Sequence, residues 1–150
     1  MVVNQGTALH VHSAPHVSMS PRILAEMTWE EVRQARSDVT GDGSPGVVAI
    51  LPTGAVEAHG PHLPIGTDVI IAEAMAKACA EVVERRGGIA LVLPPVWYTA
   101  ARFAHNFAGT VGVDGDTVTA LVRQIADSLR QQEITTLAIA NAHLDPAHLA

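Results

Sequence analysis

Three short apolar runs punctuate the chain, and the segments between them carry a helical rather than an alternating pattern. The runs are Val47 to Leu51, Ile89 to Leu93 and Thr135 to Ala140. The first two contain no polar position at all, which predicts strands buried on both faces of a sheet. From about Asp68 to Arg86, apolar residues Ile71, Met75, Ala78 and Val82 recur at the 3.6-residue period, predicting an amphipathic helix that Gly87-Gly88 stops. A second such helix is expected from about Asp116 to Gln132, with Val118, Leu121, Val122, Ile125 and Leu129 on one face and Asp114 available as its cap. Upstream, Thr28 followed by Glu31 forms a capping box, so a helix is expected from Trp29 to about Ser37. Asp38 to Pro45, Pro52 to Thr67 and Pro94 to Val113 are dense in turn formers or lack a period, and read as loops.

Strand, helix, strand, helix, strand predicts an α/β fold, a mostly parallel central sheet covered by helices and joined by right-handed crossovers. Such sheets bind ligands at the carboxyl ends of their strands. The polar residues gather there: Glu57 to Asp68 after the first strand, Trp97 to Thr110 after the second, His143 to His148 after the third. No internal repeat is evident. Ala150 falls a few residues into what should be another helix, so a domain over residues 21–150 that is incomplete at its C-terminal end is expected. Residues 1–20 are rich in Ser, His, Pro and small residues without a period, and read as a flexible arm. His10, His12 and His16 invite a metal reading, but a disordered leader, or sequence ahead of a true start near Met19, accounts for them as well.

Composition narrows the choice of function. Hydrophobic residues make up 48% of the 150 positions but aromatics only 3%, so Ala, Val, Leu and Ile must fill the core. The formal charge of −6, with no basic stripe, argues against a nucleic-acid surface. No apolar run approaches the ~20 residues of a membrane span, and no secretory signal is visible, so a cytoplasmic protein is expected. The single cysteine, Cys79, rules out an internal disulfide. It is expected on the apolar side of its helix as a buried, inert thiol. The aromatic pair Trp97 and Tyr98 is expected in the core.

The segment Gly54-Ala55-Val56-Glu57-Ala58-His59-Gly60-Pro61-His62-Leu63-Pro64-Ile65-Gly66-Thr67-Asp68 carries the chemistry. Carboxylates and imidazoles suit divalent ions such as Zn²⁺, and oxygen-rich sets suit Mn²⁺. Glu57 and His59 are two apart, so in an extended loop they point to opposite sides and could reach different ions, while the two oxygens of Asp68 could bridge both. Two ions held about 3.5–4 Å apart can share a water and generate hydroxide at neutral pH. A polar loop whose His and Glu only bind the backbone is the bland alternative.

This segment resembles the hallmark of the creatininase (creatinine amidohydrolase) family: a Gly, then Glu-x-His-Gly-x-His-Leu-Pro, then Thr-Asp. Thr28-Trp29-Glu30-Glu31-Val32 resembles that family's early Thr-Trp-x-Glu helix. His105-Asn106-Phe107-Ala108-Gly109-Thr110 is similar to its His-x-x-Phe-x-Gly-Thr block, one residue shorter between His and Phe. Asn141-Ala142-His143-Leu144-Asp145 is similar to its Asn-Gly-His segment, with Ala142 for the usual Gly. The resemblance implies that Glu57 and His143 hold one metal, His59 and Asp145 the other, with Asp68 bridging. Asp145 stands where creatininase itself has Glu, one methylene longer.

The function so implied is hydrolysis of a C–N bond in a small amide or cyclic amide by binuclear metal-bound hydroxide, with two divalent ions, Zn and/or Mn, as cofactors. The family's substrates include creatinine, formamides of pyrimidine intermediates and peptide ends in cofactor maturation; the change at Asp145 makes creatinine itself a poor expectation. Homo-oligomers are expected by the same resemblance. By the same resemblance, the family's substrate-covering Trp loop and its proton-transfer His and Glu are expected beyond Ala150. For His62, the choice is between orienting the loop and donating a hydrogen bond to a ligand. His105 is expected to tie down its loop rather than contact substrate, His148 to be exposed, and Gly109-Thr110 to make a tight turn near the site. Two alternatives remain: a metal-binding but inactive domain needing a partner, and an α/β structural domain without metal.

Overall fold

A computed structural model describes residues 20–39 and 46–149. The N-terminal segment read as a flexible arm, including His10, His12 and His16, lies outside the described residues, apart from Ser20, as does most of the loop read between Asp38 and Pro45.

The elements run β1 (Arg22–Ile23), a 3₁₀ turn (Leu24–Glu26), α1 (Trp29–Ser37), β2 (Val47–Thr53), α2 (Thr67–Arg85), β3 (Ile89–Val92), α3 (Gly115–Gln131), β4 (Thr136–Asn141) and α4 (Pro146–Leu149). All strand pairs are parallel, in the order β1-β3-β2-β4. The chain steps from β2 to β3 on one side, then crosses back so that β4 lies on the other side of β2. The strands so brought together, β2 and β4, pair from Val48↔Thr136 to Thr53↔Asn141. Their carboxyl ends therefore open side by side, where an open α/β sheet takes its ligand.

Alternation along the strands builds three layers. Ala49, Leu51, Ile89 and Leu91 face Ala35 of α1 and Leu129 of α3. Val48, Ile50, Ala90 and Val92 face Ala76 and Ala80 of α2. The two apolar runs are buried on both faces because both faces carry helices. The capping box of α1 is present, with Thr28 Oγ1 accepting from Glu31 N and the Glu31 carboxylate accepting from Thr28 N at 2.7 Å. Gly87, at φ +78°, takes the left-handed turn that ends α2.

Four sequence expectations need correction. The buried face of α2 is Val69, Ala72, Ala76 and Ala80, whereas Ile71, Met75, Ala78 and Val82 are exposed. Small side chains let α2 lie close to the sheet, and close approach outweighs bulk. Cys79 shares the outward side and is exposed. Trp97 and Tyr98 are not in the core; they are 43% and 55% exposed, at the carboxyl edge after β3. Asp114 precedes α3 but makes no side-chain cap, because its carboxylate accepts from Arg102 at 2.6 Å instead. Among the described residues, no helix is long and apolar enough to cross a membrane.

Candidate metal centre

Two loops build the site. The first leaves β2 at Thr53 and returns into α2 at Thr67. Backbone bonds hold it at several points: Gly54 N donates to Val96 O (3.1 Å), Glu57 N to Ile65 O (2.9 Å), and Val111 N to Val56 O (2.9 Å). The Thr110 hydroxyl accepts from Ala58 N at 3.1 Å, and the Thr99 hydroxyl donates to Gly54 O at 2.8 Å. Gly54 is where β2 passes the start of α2. A Cβ there would lie 2.6 Å from Val69 N and 2.8 Å from Asp68 C, closer than atoms can approach. That contact places Asp68, in the first turn of α2, beneath the loop that carries Glu57 and His59. The second loop leaves β4 at Asn141 and carries His143 and Asp145 before α4.

The structure brings Glu57, His59, Asp68 and His143 into one cluster. His59 Nε2 lies 2.8 Å from Asp68 Oδ1, and His143 Nδ1 lies 2.8 Å from Asp68 Oδ2. Glu57 Oε1 is 3.3 Å from His143 Nδ1 and 3.8 Å from His59 Nε2. Glu57, His59 and Asp68 each offer a ligand atom within 4.8 Å of the others. Asp68 thus turns one carboxylate oxygen toward each imidazole. Asp145 is buried beside the cluster, and its Oδ2 accepts from Phe103 N at 2.9 Å. An open cleft of ≈ 350 Å³ is lined by Glu57, Phe103, His143, Leu144, Asp145 and Pro146.

The far nitrogens of both rings are committed to backbone carbonyls. His59 Nδ1 is 3.0 Å from Glu57 O, and His143 Nε2 is 2.7 Å from Ala100 O. A carbonyl can only accept, so each of these nitrogens carries the proton. In the neutral rings, the lone pairs of His59 Nε2 and His143 Nδ1 then face carboxylate oxygens at contact distance. Acceptor against acceptor is repulsive unless a proton or a cation lies between them. Asp68 Oδ2, buried and without an aligned hydrogen-bond donor, makes the same demand. Imidazole nitrogens and carboxylate oxygens gathered this way fit a divalent ion.

Without an ion, protons fill the role. Burial raises the carboxyl pKa of Glu57; the positive charge of His143 opposes this, and the negative charge of Asp68 adds to it. Burial alone would lower His59, but its bond to the Glu57 carbonyl and its bond and charge contact with Asp68 outweigh it and leave the pKa raised. A centre that holds protons this readily is one in which a cation can replace them.

The remaining sequence candidates divide. Thr110 ties the first loop through Ala58. His105 is exposed, with Nδ1 on the carbonyl of Arg102 at 2.6 Å, so it closes its own turn. His62 is exposed. Gly109, at φ +87°, makes the expected turn. The expectation for His148 is corrected: it is half-buried, its ring centroid 5.0 Å from that of His143. The pull of the fold on it is strong because α4 turns back over the second loop, with His148 N donating to Asp145 O at 2.9 Å. Burial, followed by the neighbouring charge of His143, lowers its imidazole pKa. Sequence reasoning also missed the backbone partners Ala100 O and Phe103 N, for which no residue type gives a signal.

Residues 25–149 match the family model for creatininase, described as creatinine amidohydrolase. The chain belongs to the creatininase family. Creatininase-family relatives include the creatinine amidohydrolase of Pseudomonas putida, 34% identical over 127 residues, covering 81% of this chain and 45% of that protein. The mycofactocin precursor peptide peptidase of Mycolicibacterium smegmatis is 43% identical over 70 residues, covering 44% of this chain and 27% of that protein. The crystal structure of creatinine amidohydrolase (creatininase) superposes with a TM-score of 0.70 at 30% identity, over 82% of this chain and 45% of that one. Creatininase structures of a manganese form (TM-score 0.67, 30% identity, 82% and 46% coverage) and of a mutant Zn–Zn type (0.62, 29%, 83% and 46%) also match. The creatininase fold expected from the sequence is therefore present, and the chain spans under half the length of these relatives.

Proposed function

We propose that this chain carries a two-ion amidohydrolase site that hydrolyses the C–N bond of an amide or cyclic amide. Glu57 and His143 would hold one ion, His59 and Asp145 the other, with Asp68 shared. The observation that carries this reading is the carboxylate of Asp68, whose two oxygens face two different imidazoles at 2.8 Å each. Divalent ions held there, Zn or Mn, would polarise a substrate carbonyl and acidify water enough for attack at neutral pH. The residues of the chain supply the rest. Ala100 O and Glu57 O fix the ring tautomers and aim their lone pairs at the centre. Phe103 and Leu144, 87% and 77% exposed, give the cleft an apolar flank against which a substrate can lie. The shorter reach of Asp145, with one oxygen already accepting from Phe103 N, makes its ion the weaker held of the two. A small amide is the substrate class supported by the P. putida relative; the mycobacterial peptidase adds peptide ends. A homo-oligomer in the cytoplasm belongs with this reading.

A second reading is a chain that binds the ions without turnover. One experiment separates the two. Protein purified with added Mn²⁺ or Zn²⁺ is assayed for ring opening of creatinine, and for amine release from simple formamides and short peptides, with Asp68→Ala as control. Metal-dependent hydrolysis, absent in Asp68→Ala, is expected. Uptake of metal with no hydrolysis of any substrate supports the second reading, and no metal uptake sinks both.

A further inference from the structure

We infer that Asn141 is a positioning residue for His143, and that His148 locks the Asn141 side chain in place; the inference rests on the reading of His143 as a metal ligand.

Asn141 grips the backbone of His143 from both sides. Its Nδ2 donates to His143 O at 2.8 Å, and its Oδ1 accepts from His143 N at 3.1 Å. The same Oδ1 accepts from the Thr53 hydroxyl at 3.1 Å, and His148 Nε2 lies 3.0 Å from it. Donors surround the amide oxygen and a carbonyl faces the amide nitrogen, so one orientation of the amide satisfies every partner. That arrangement requires the His148 proton on Nε2.

The clamp joins the two loops. Thr53 and Asn141 are the last register pair of β2 and β4, and Ala142 N donates to Thr53 O at 3.2 Å. Glu57 follows Thr53 and His143 follows Asn141, so the Thr53–Asn141 contact sets how far apart the two loops begin. His143 is further pinned at its ring by Ala100 O. Backbone and ring are thus fixed independently, which leaves Nδ1 one direction in which to point. A ligand held so pays little ordering entropy when an ion arrives, and loss of such supporting partners typically weakens metal affinity about 10–100-fold. His148 reaches this network from α4, only five positions after His143, and its ring stacks obliquely at 56° to the His143 ring.

The test is a titration with Mn²⁺, following free ion by its electron paramagnetic resonance signal, on wild type, Asn141→Ala, His148→Ala and His148→Gln, with thermal unfolding of each metal-free protein alongside. Asn141→Ala is expected to weaken Mn²⁺ binding about 10–100-fold, and His148→Ala to weaken it less. His148→Gln, whose amide can still donate to Asn141 Oδ1, is expected to recover most of the His148→Ala loss. Should Asn141→Ala fail to fold, the His148 pair decides alone. Folded Asn141→Ala and His148→Ala proteins with wild-type affinity would overturn the clamp and leave the metal reading intact. Equal losses in His148→Ala and His148→Gln would overturn the part assigned to His148. Wild type that takes up no Mn²⁺ overturns the metal reading, and the clamp falls with it.

Discussion

The loops that meet over Asp68 are held in place by different means. The first, between β2 and α2, is a mesh of backbone bonds, with Gly54 N on Val96 O, Glu57 N on Ile65 O and Val111 N on Val56 O. Its ligand candidates Glu57, His59 and Asp68 are close in sequence, and Glu57 and His59 are partly open to solvent. The second, after β4, has backbone bonds at its two ends, Ala142 N on Thr53 O and His148 N on Asp145 O, and between them hangs on side chains: Asn141 on the His143 backbone, the His143 ring on Ala100 O, and Asp145 on Phe103 N. His143 is 2% exposed. A backbone mesh tolerates the loss of a side chain that it presents. A loop held by the side chains proposed as ligands does not, because there the proposed ligand is also scaffold.

The largest effect should come from breaking the junction on which the first loop rests. Gly54→Ala forces a methyl group against the backbone of Asp68 and Val69. Overpacking against backbone is expected to destabilise the protein by about 1–3 kcal/mol, read from urea unfolding, and to lower metal affinity through displacement of Asp68. A smaller contrast sharpens the comparison itself. In metal-free protein, His143→Ala leaves the carbonyl of fully buried Ala100 without its donor and is expected to cost about 1–3 kcal/mol. His59→Ala, in the meshed loop and partly exposed, is expected to cost less than about 1 kcal/mol by the same principle, although both remove a proposed ligand. Equal destabilisation by the two would erase the distinction between the loops.

The smallest effect is a pH dependence of the metal-free protein. Glu57 and His59 both have raised pKa values in the folded chain. The folded state therefore binds protons that the unfolded state releases. Stability from these groups is fully present below their unfolded values, about 4.3 and 6.5. It declines as pH rises through the folded values, Glu57 first and His59 after. With saturating Zn²⁺ the sign reverses, because the ion requires both groups deprotonated. Melting temperatures across pH 4–8 of wild type and of the Glu57→Gln/His59→Gln double variant, with and without Zn²⁺, check this, because the opposite contribution of His148, whose pKa is lowered, is common to both; metal-free profiles that run parallel would contradict it.

Much of this organisation was legible in the sequence, and the reason differs by region. Runs such as Val47 to Leu51 announce a doubly covered strand because no alternative burial suits them. The Glu57–Asp68 segment was readable because its candidate ligands are local and Gly and Pro fix the turns between them. The strand–helix pattern put His143 at the same sheet edge as Glu57, but its pairing with Glu57 came only through family resemblance, since nothing in sequence spacing says that β4 pairs with β2 rather than with β3. The outward face of α2 was misread for a physical reason: Ile71 and Met75 carry more hydropathy than Ala72 and Ala76, but packing against a sheet selects small side chains that permit close approach. His148 was misread because α4 is too short to show a period. The two-residue β1 left no pattern to find.

On the proposed reading, the two oxygens of Asp68 serve two separate cations. Anomalous diffraction from crystals grown with Zn²⁺ tests it most directly. Two peaks flanking Asp68, one beside Glu57 and His143 and one beside His59 and Asp145, are the predicted result. A single peak bound by only one Asp68 oxygen, or none at this centre, would contradict it.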